Sequence, residues 1–136
     1  MADDFILAER IAADSVAVAD LVLCHVRLMD DSRYPWLLLL PRRAGLEEWT
    51  ALNAADLAQL SLEIAQTGAA LQTIAVFDKL NVASLGNIVR QMHVHVVGRT
   101  IGDESWPDPI WGRGARIPYA PAERDRLVGL LGASLA

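Results

Sequence analysis

The sequence lacks the features that would give it a disulfide framework, a membrane span or a nucleic-acid surface. Cys24 is the single cysteine, so no internal disulfide can form, and its apolar surroundings read as a buried core thiol rather than a reactive nucleophile. The longest uninterrupted apolar run, Trp36 to Leu40, is far too short to cross a bilayer. A basic start is missing too: Asp3 and Asp4 stand where a signal peptide would carry positive charge. No secretion and no membrane partner are therefore expected, and a reducing cytoplasm is the expected location. The charge balance is negative, with a formal net charge of -5. That excludes the basic stripe by which nucleic-acid binders release counterions, so any phosphate handled here must be held by a local site. Repeats and low-complexity linkers are absent.

What is there is enough apolar material for one core. The chain has 136 residues, 53% of them hydrophobic, which fits one domain spanning residues 1–136 without staples. The pattern is α+β. Asp3 or Asp4 is expected to cap a short first helix on which Leu7 and Ile11 share a face, ending before Ser15. Val16 to Ala19 and Leu21 to Met29 read as strands broken at Asp20. The turn from Asp30 to Pro35 leads into a third strand, Trp36 to Leu40, giving an antiparallel meander. Asn53 and Asp56 mark the start of the main helix, whose face of Leu57, Leu60, Ile64, Gly68 and Leu71 is expected to run to about Phe77. Leu80 to Leu85 and Gln91 to Val97 supply two further strands. The segment Trp106-Pro107-Asp108-Pro109 cannot continue a central strand. Pro121 suits the first turn of a last helix, Ala122 to Leu131, stopped by Gly132.

Histidine is scarce, at three residues, and two of the three stand in one strand. Gln91, Met92, His93, Val94, His95 and Val96 alternate polar and apolar. This periodicity puts Gln91, His93 and His95 on one face and the apolar residues on the other. A neutral imidazole is a good nucleophile near neutral pH, and a second one can hold charge or pass a proton, which suits chemistry on phosphate. Alternate strand histidines also suit a zinc site. His25, in an apolar strand, reads as a structural histidine, and Trp36, Trp49, Trp106 and Trp111 read as packing residues. Trp106 and Trp111 carry an alternative role at a partner subunit's site.

The strand Gln91 to Val97, the preceding Gly86-Asn87-Ile88-Val89 and the earlier Leu37 to Arg43 together resemble the histidine-triad (HIT) superfamily, whose signature is His-φ-His-φ-His-φ-φ with φ apolar. The resemblance covers roughly residues 15–100, with 101–136 as a C-terminal extension. It implies a HIT-like fold: an antiparallel sheet of about five strands with a main helix packed on it and a C-terminal helix, usually a homodimer that binds nucleotides. The chain departs from the signature at Gln91, which takes the first triad position and gives Gln-φ-His-φ-His. By the resemblance His93 is the residue that attacks the α-phosphorus, His95 contacts phosphate oxygens, and Gln91 is their hydrogen-bonding partner.

Asn81, Gly86 and Asn87 fall at the resemblance's nucleotide- and phosphate-binding positions. Ile88 stands where a serine or threonine often donates its hydroxyl, and Ala44 where a fourth histidine often follows. Arg90 and Arg99 are candidates for neutralising phosphate charge beside a solvated surface role. The implied activity is that of a hydrolase or nucleotidyl transferase. It would act on a purine nucleoside phosphoramidate or a dinucleoside polyphosphate, with no cofactor and no metal at the histidines. A nucleotide-binding regulatory module and a metal-dependent enzyme are the alternatives.

Overall fold

A computed structural model describes residues 5–136 of the chain. Five strands form one antiparallel sheet: β1 (Ser15–Asp20), β2 (Cys24–Met29), β3 (Trp36–Pro41), β4 (Lys79–Ala83) and β5 (Val94–Arg99). Their order is β1-β2-β3-β5-β4, so β5 is inserted between the meander and β4. Three helices accompany them: α1 (Glu9–Asp14), α2 (Ala54–Leu71) and α3 (Pro121–Leu135). Among the described residues no helix is long and apolar enough to cross a membrane.

The leucine run of β3 follows from its central place. Both of its neighbours are hydrogen-bonded to it and both of its faces are covered, so a continuous apolar stretch is stable where a half-exposed strand would alternate. Leu37 and Leu39 join Val26, Leu28, Val94 and Val96 against Leu60 and Leu71 of α2 and Leu127 and Leu131 of α3. Trp36, Leu38 and Leu40 face the other way, toward Ile11, Val97 and Ile110. α2 and α3 cover one face of the sheet, and α1 with the segment around Ile110 and Trp111 covers the other.

A buried carboxylate joins α2 to the meander. Glu63 is fully buried and accepts hydrogen bonds from the amides of Leu23 at 2.9 Å and Cys24 at 2.7 Å, with Gln59 Nε2 donating at 2.6 Å. Charge-assisted bonds of this kind satisfy amides that the β1–β2 turn would leave orphaned. Burial and the Glu63 carboxylate together push the neighbouring Cys24 thiol up from its ordinary range, which fits an inert core thiol.

Several element boundaries differ from the sequence reading. The expected cap by Asp3 or Asp4 lies outside the described residues, and α1 begins only at Glu9, with Ala8 at its N-cap and no side-chain cap. Leu21 to Leu23 form the turn before β2 rather than its start. The Asn53 cap is present, its side chain accepting from the Asp56 amide at 2.8 Å. However, α2 ends at Leu71 rather than near Phe77, where β-branched Thr73, Ile74 and Val76 disfavour continuation. β4 spans Lys79–Ala83, shorter than Leu80 to Leu85. β5 starts at Val94 rather than Gln91 and continues to Arg99, opposite Lys79. α3 runs through Gly132 because Leu135 is buried beyond it, and burial outweighs the roughly 1 kcal/mol helix penalty of glycine.

Candidate active site

His93 lies immediately before β5 and His95 within it. Although Gln91 to His93 are not strand, their alternation persists: Met92 packs into the helix-side core with Val94 and Val96, while His93 and His95 face a cavity on the other side. Met92 donates its amide to the Leu46 carbonyl at 3.0 Å, which fixes the approach to the strand. The two rings are edge to face, with centroids 4.9 Å apart and an interplanar angle of 66°.

Hydrogen bonds assign different protonation to the two rings. His93 Nδ1 lies 2.7 Å from the Gln91 carbonyl oxygen; a carbonyl only accepts, so Nδ1 carries a proton, and in the neutral ring the lone pair is on Nε2. His95 Nδ1 accepts from Trp36 Nε1 at 3.0 Å. An indole N–H only donates, so neutral His95 carries its proton on Nε2. Burial, and secondarily the neighbouring His93, push the His95 pKa down to about 3, keeping it uncharged at neutral pH. The pair therefore offers one lone pair and one N–H, each fixed from behind.

The cavity holds about 450 Å³ and its walls are largely apolar. Ile11, Met29, Trp36, Leu38 and Trp111 line it together with the loop Leu85 to Val89, and Arg10 and Asp14 bring its charged groups. Gly86 has φ +72°, a backbone conformation that a side chain would strain. The ring of Trp111 stands edge to face on His95 at 5.2 Å, so Trp111 lines the cavity of its own chain. Trp106 lies against the Arg99 guanidinium at 5.7 Å.

Of the residues singled out in the sequence, His93, His95, Gly86 and Asn87 line one cavity. Asn81 is not in that lining; its Oδ1 accepts from Arg99 Nη1 at 3.0 Å. Arg99 is buried, and a buried guanidinium must have acceptors. It obtains the rest from Asp103, whose carboxylate lies 2.8 and 2.9 Å away and holds its pKa up. Arg90 is exposed and pairs with Glu47 at 3.3 Å. Neither arginine faces the histidines. Gln91 lies with them in sequence, but its carboxamide bonds Ala8 and Ile6. His25 is structural, bonded to Asp20 at 2.6 Å and to Arg27 at 3.1 Å.

Sequence reasoning missed Trp36, Trp111 and the α1 wall. Trp36 reads as core from its run, and only the pairing of β3 with β5 reveals that its indole reaches His95.

Paired histidines on the inner strand of a five-stranded antiparallel sheet, under helices on the far face, are the arrangement of histidine-triad proteins. The chain belongs to the HIT domain family, whose profile matches residues 10–101. A histidine triad protein from Sinorhizobium meliloti is 39% identical, with a TM-score of 0.95 over 99% of this chain and 100% of that one. One from Bradyrhizobium japonicum is 38% identical with a TM-score of 0.93 over 98% and 99% of the two chains. One from Marinobacter aquaeolei is 36% identical, TM-score 0.92, covering 96% of each. No curated protein matches the chain.

Proposed function

We propose that the chain is one domain that binds a nucleotide and acts at its α-phosphorus through a nucleotidyl-histidine intermediate. The observation that carries this reading is the opposed protonation of the pair. His93 Nε2 presents a lone pair while His95 Nε2 presents an N–H, both on residues that line a largely apolar cavity. His93 Nε2 forms a bond to phosphorus as the bond to the leaving group breaks, the leaving group departing with the electron pair. Water then attacks the intermediate, breaking the nitrogen–phosphorus bond and releasing a nucleoside monophosphate. A neutral donor such as His95, with Asn87 and the backbone at Gly86, stabilises charge on the non-bridging oxygens.

The substrate class is a purine nucleoside phosphoramidate or a dinucleoside polyphosphate, with the nucleoside on the apolar walls. The mechanism needs no metal at the histidines. Asn81 acts indirectly in this reading, through Arg99 and the segment that carries Trp111. The protein works as a cytoplasmic homodimer. The open edge of β4 supports pairing between copies, with Val82 and Leu85 nearby both more than a third exposed. Sedimentation equilibrium at micromolar protein tests this, a stable active monomer being the contrary result.

A panel of such nucleotides, read by released monophosphate with wild type and His93→Ala, tests the chemistry. Turnover should fall roughly 10³-fold or more without the nucleophile. Comparable rates would refute the assignment.

A second reading, a nucleotide-binding module with slow turnover, has one observation in its favour. Apart from the histidines, Arg10 and Asp14 are the only titratable side chains lining the cavity among the described residues. Binding without release of monophosphate by the wild type would select it.

A further inference from the structure

One wall of the cavity is built from α1, through Arg10, Ile11 and Asp14. This helix has six residues and no side-chain cap. Helices so short do not persist alone in water, because nucleation costs more than a single turn returns. Its position must be imposed by tertiary contacts. Toward its C-terminus it runs directly into β1, and Ile11 is buried against the sheet with Trp36, Leu38 and Leu40. Before it, Phe5 to Ala8 have no regular structure, and Ile6 is 80% exposed. Phe5, Leu7 and Ala8 pack against the core on this face, and the side chain of Gln91 ties down the backbone of the stretch. Its Nε2 donates to the Ile6 carbonyl at 2.7 Å, and its Oε1 accepts from the Ala8 amide at 2.8 Å.

We infer that Gln91 is a positioning residue that clamps the N-terminal segment so that α1 forms the nucleotide wall, and that a histidine cannot replace it there. The inference rests on the proposed nucleotide site. A carboxamide carries a donor and an acceptor on one carbon, which suits a carbonyl and an N–H two residues apart on the same short segment. A neutral imidazole has its donor and its lone pair on separated ring atoms, and an imidazolium has two donors and no acceptor. The main chain of the same residue does a second job, since the Gln91 carbonyl accepts the His93 Nδ1 proton at 2.7 Å. One residue thus fixes the wall with its side chain and the nucleophile's protonation with its backbone. Substituting the side chain separates the two functions, because every variant keeps the carbonyl.

The test compares Gln91→Ala, Gln91→His and Ala8→Pro with the wild type. The Ala8 backbone has φ -58°, already a proline value, so Ala8→Pro keeps that angle, removes the N–H and approaches the clamp from its other side. Two readouts are taken: hydrogen exchange of the peptide covering residues 5–12, and kcat and KM for the best nucleotide of the panel across pH. All three variants should exchange this peptide faster. Each should raise KM about tenfold, the scale of one or two lost hydrogen bonds, with kcat and its pH profile little changed. Restoring histidine at the first triad position should not help.

If Gln91→His raises kcat or adds an ionisation to its pH profile while residues 5–12 stay protected, Gln91 occupies a proton path and the clamp is wrong. Unchanged exchange in Gln91→Ala also overturns it. If the wild type neither binds nor turns over any nucleotide, the exchange result still decides the clamp, and it is the proposed function that fails.

Discussion

Acidifying the protein should weaken it through His95, and removing that imidazole should abolish this part of the loss. In the folded protein the His95 pKa is pushed from 6.5 down to about 3, first by burial and then by His93. Between those values the unfolded chain binds a proton that the native state refuses. The stabilisation from keeping His95 neutral is therefore fully present above about pH 6.5 and disappears as pH falls toward 3. With 1.36 kcal/mol for each pH unit, the loss is about 2 kcal/mol at pH 5 and about 4 to 5 kcal/mol in full.

The comparison protein is His95→Asn, whose Oδ1 can take the Trp36 indole proton in place of Nδ1 while adding no titratable group. Its smaller side chain costs stability at every pH alike. Urea unfolding measured every half unit from pH 7.5 to 4.5 gives the two curves, and their difference cancels most of the pH dependence common to both proteins. The gap between wild type and variant should narrow by about 2 kcal/mol from pH 7 to pH 5. A gap that stays constant across this range would show that His95 protonates normally in the folded state, and that the donor role argued from Trp36 is wrong.

Other consequences are as concrete. Trp36→Phe removes the indole donor from His95 Nδ1 while keeping the aromatic packing. His95 should then sample both tautomers, visible as a shifted pair of imidazole nitrogen resonances, and turnover should fall about tenfold. Glu63→Ala strands the amides of Leu23 and Cys24 in the core and should cost about 2 to 5 kcal/mol in urea unfolding, with a smaller loss for Glu63→Gln, which keeps one acceptor. Gly98→Ala would place a Cβ 2.6 Å from the Phe77 ring and 2.9 Å from Pro35, an overpacking expected to cost about 1 to 3 kcal/mol by the same measurement. Exhaustive chelation should leave wild-type turnover nearly unchanged, and a tightly held transition metal lost together with activity would contradict the metal-free mechanism.

The sequence was most legible where a local period carried the information. Alternation alone placed His93 and His95 on one face, and the run of leucines in β3 announced a strand. The α+β class, the meander and the order of helices and strands followed from turn residues and caps. What was not legible depended on partners far away in sequence. Nothing near Gln91 signals that its carboxamide bonds residues 6 and 8, and nothing near Asn81 signals that its oxygen serves Arg99 rather than the cavity. Helix ends were misjudged for a related reason. α2 stops before a stretch dense in β-branched residues, Thr73, Ile74 and Val76, while α3 continues through a glycine because a distant core receives Leu135.

The insertion of β5 between β3 and β4 also bears on how the protein is made. As the chain emerges from the ribosome, the meander can form early, but its β3 edge stays unpaired, and β4 has no strand to join until residues 94–99 have been synthesised. Ile6 and Ala8 wait through most of translation for Gln91. The histidine strand is thus the piece that closes the sheet, and a nascent chain stalled just before it would expose both an open edge and a bare apolar face. Chaperones would meet the protein in that state, and the histidine pair comes into existence only in the step that pairs the open β3 edge.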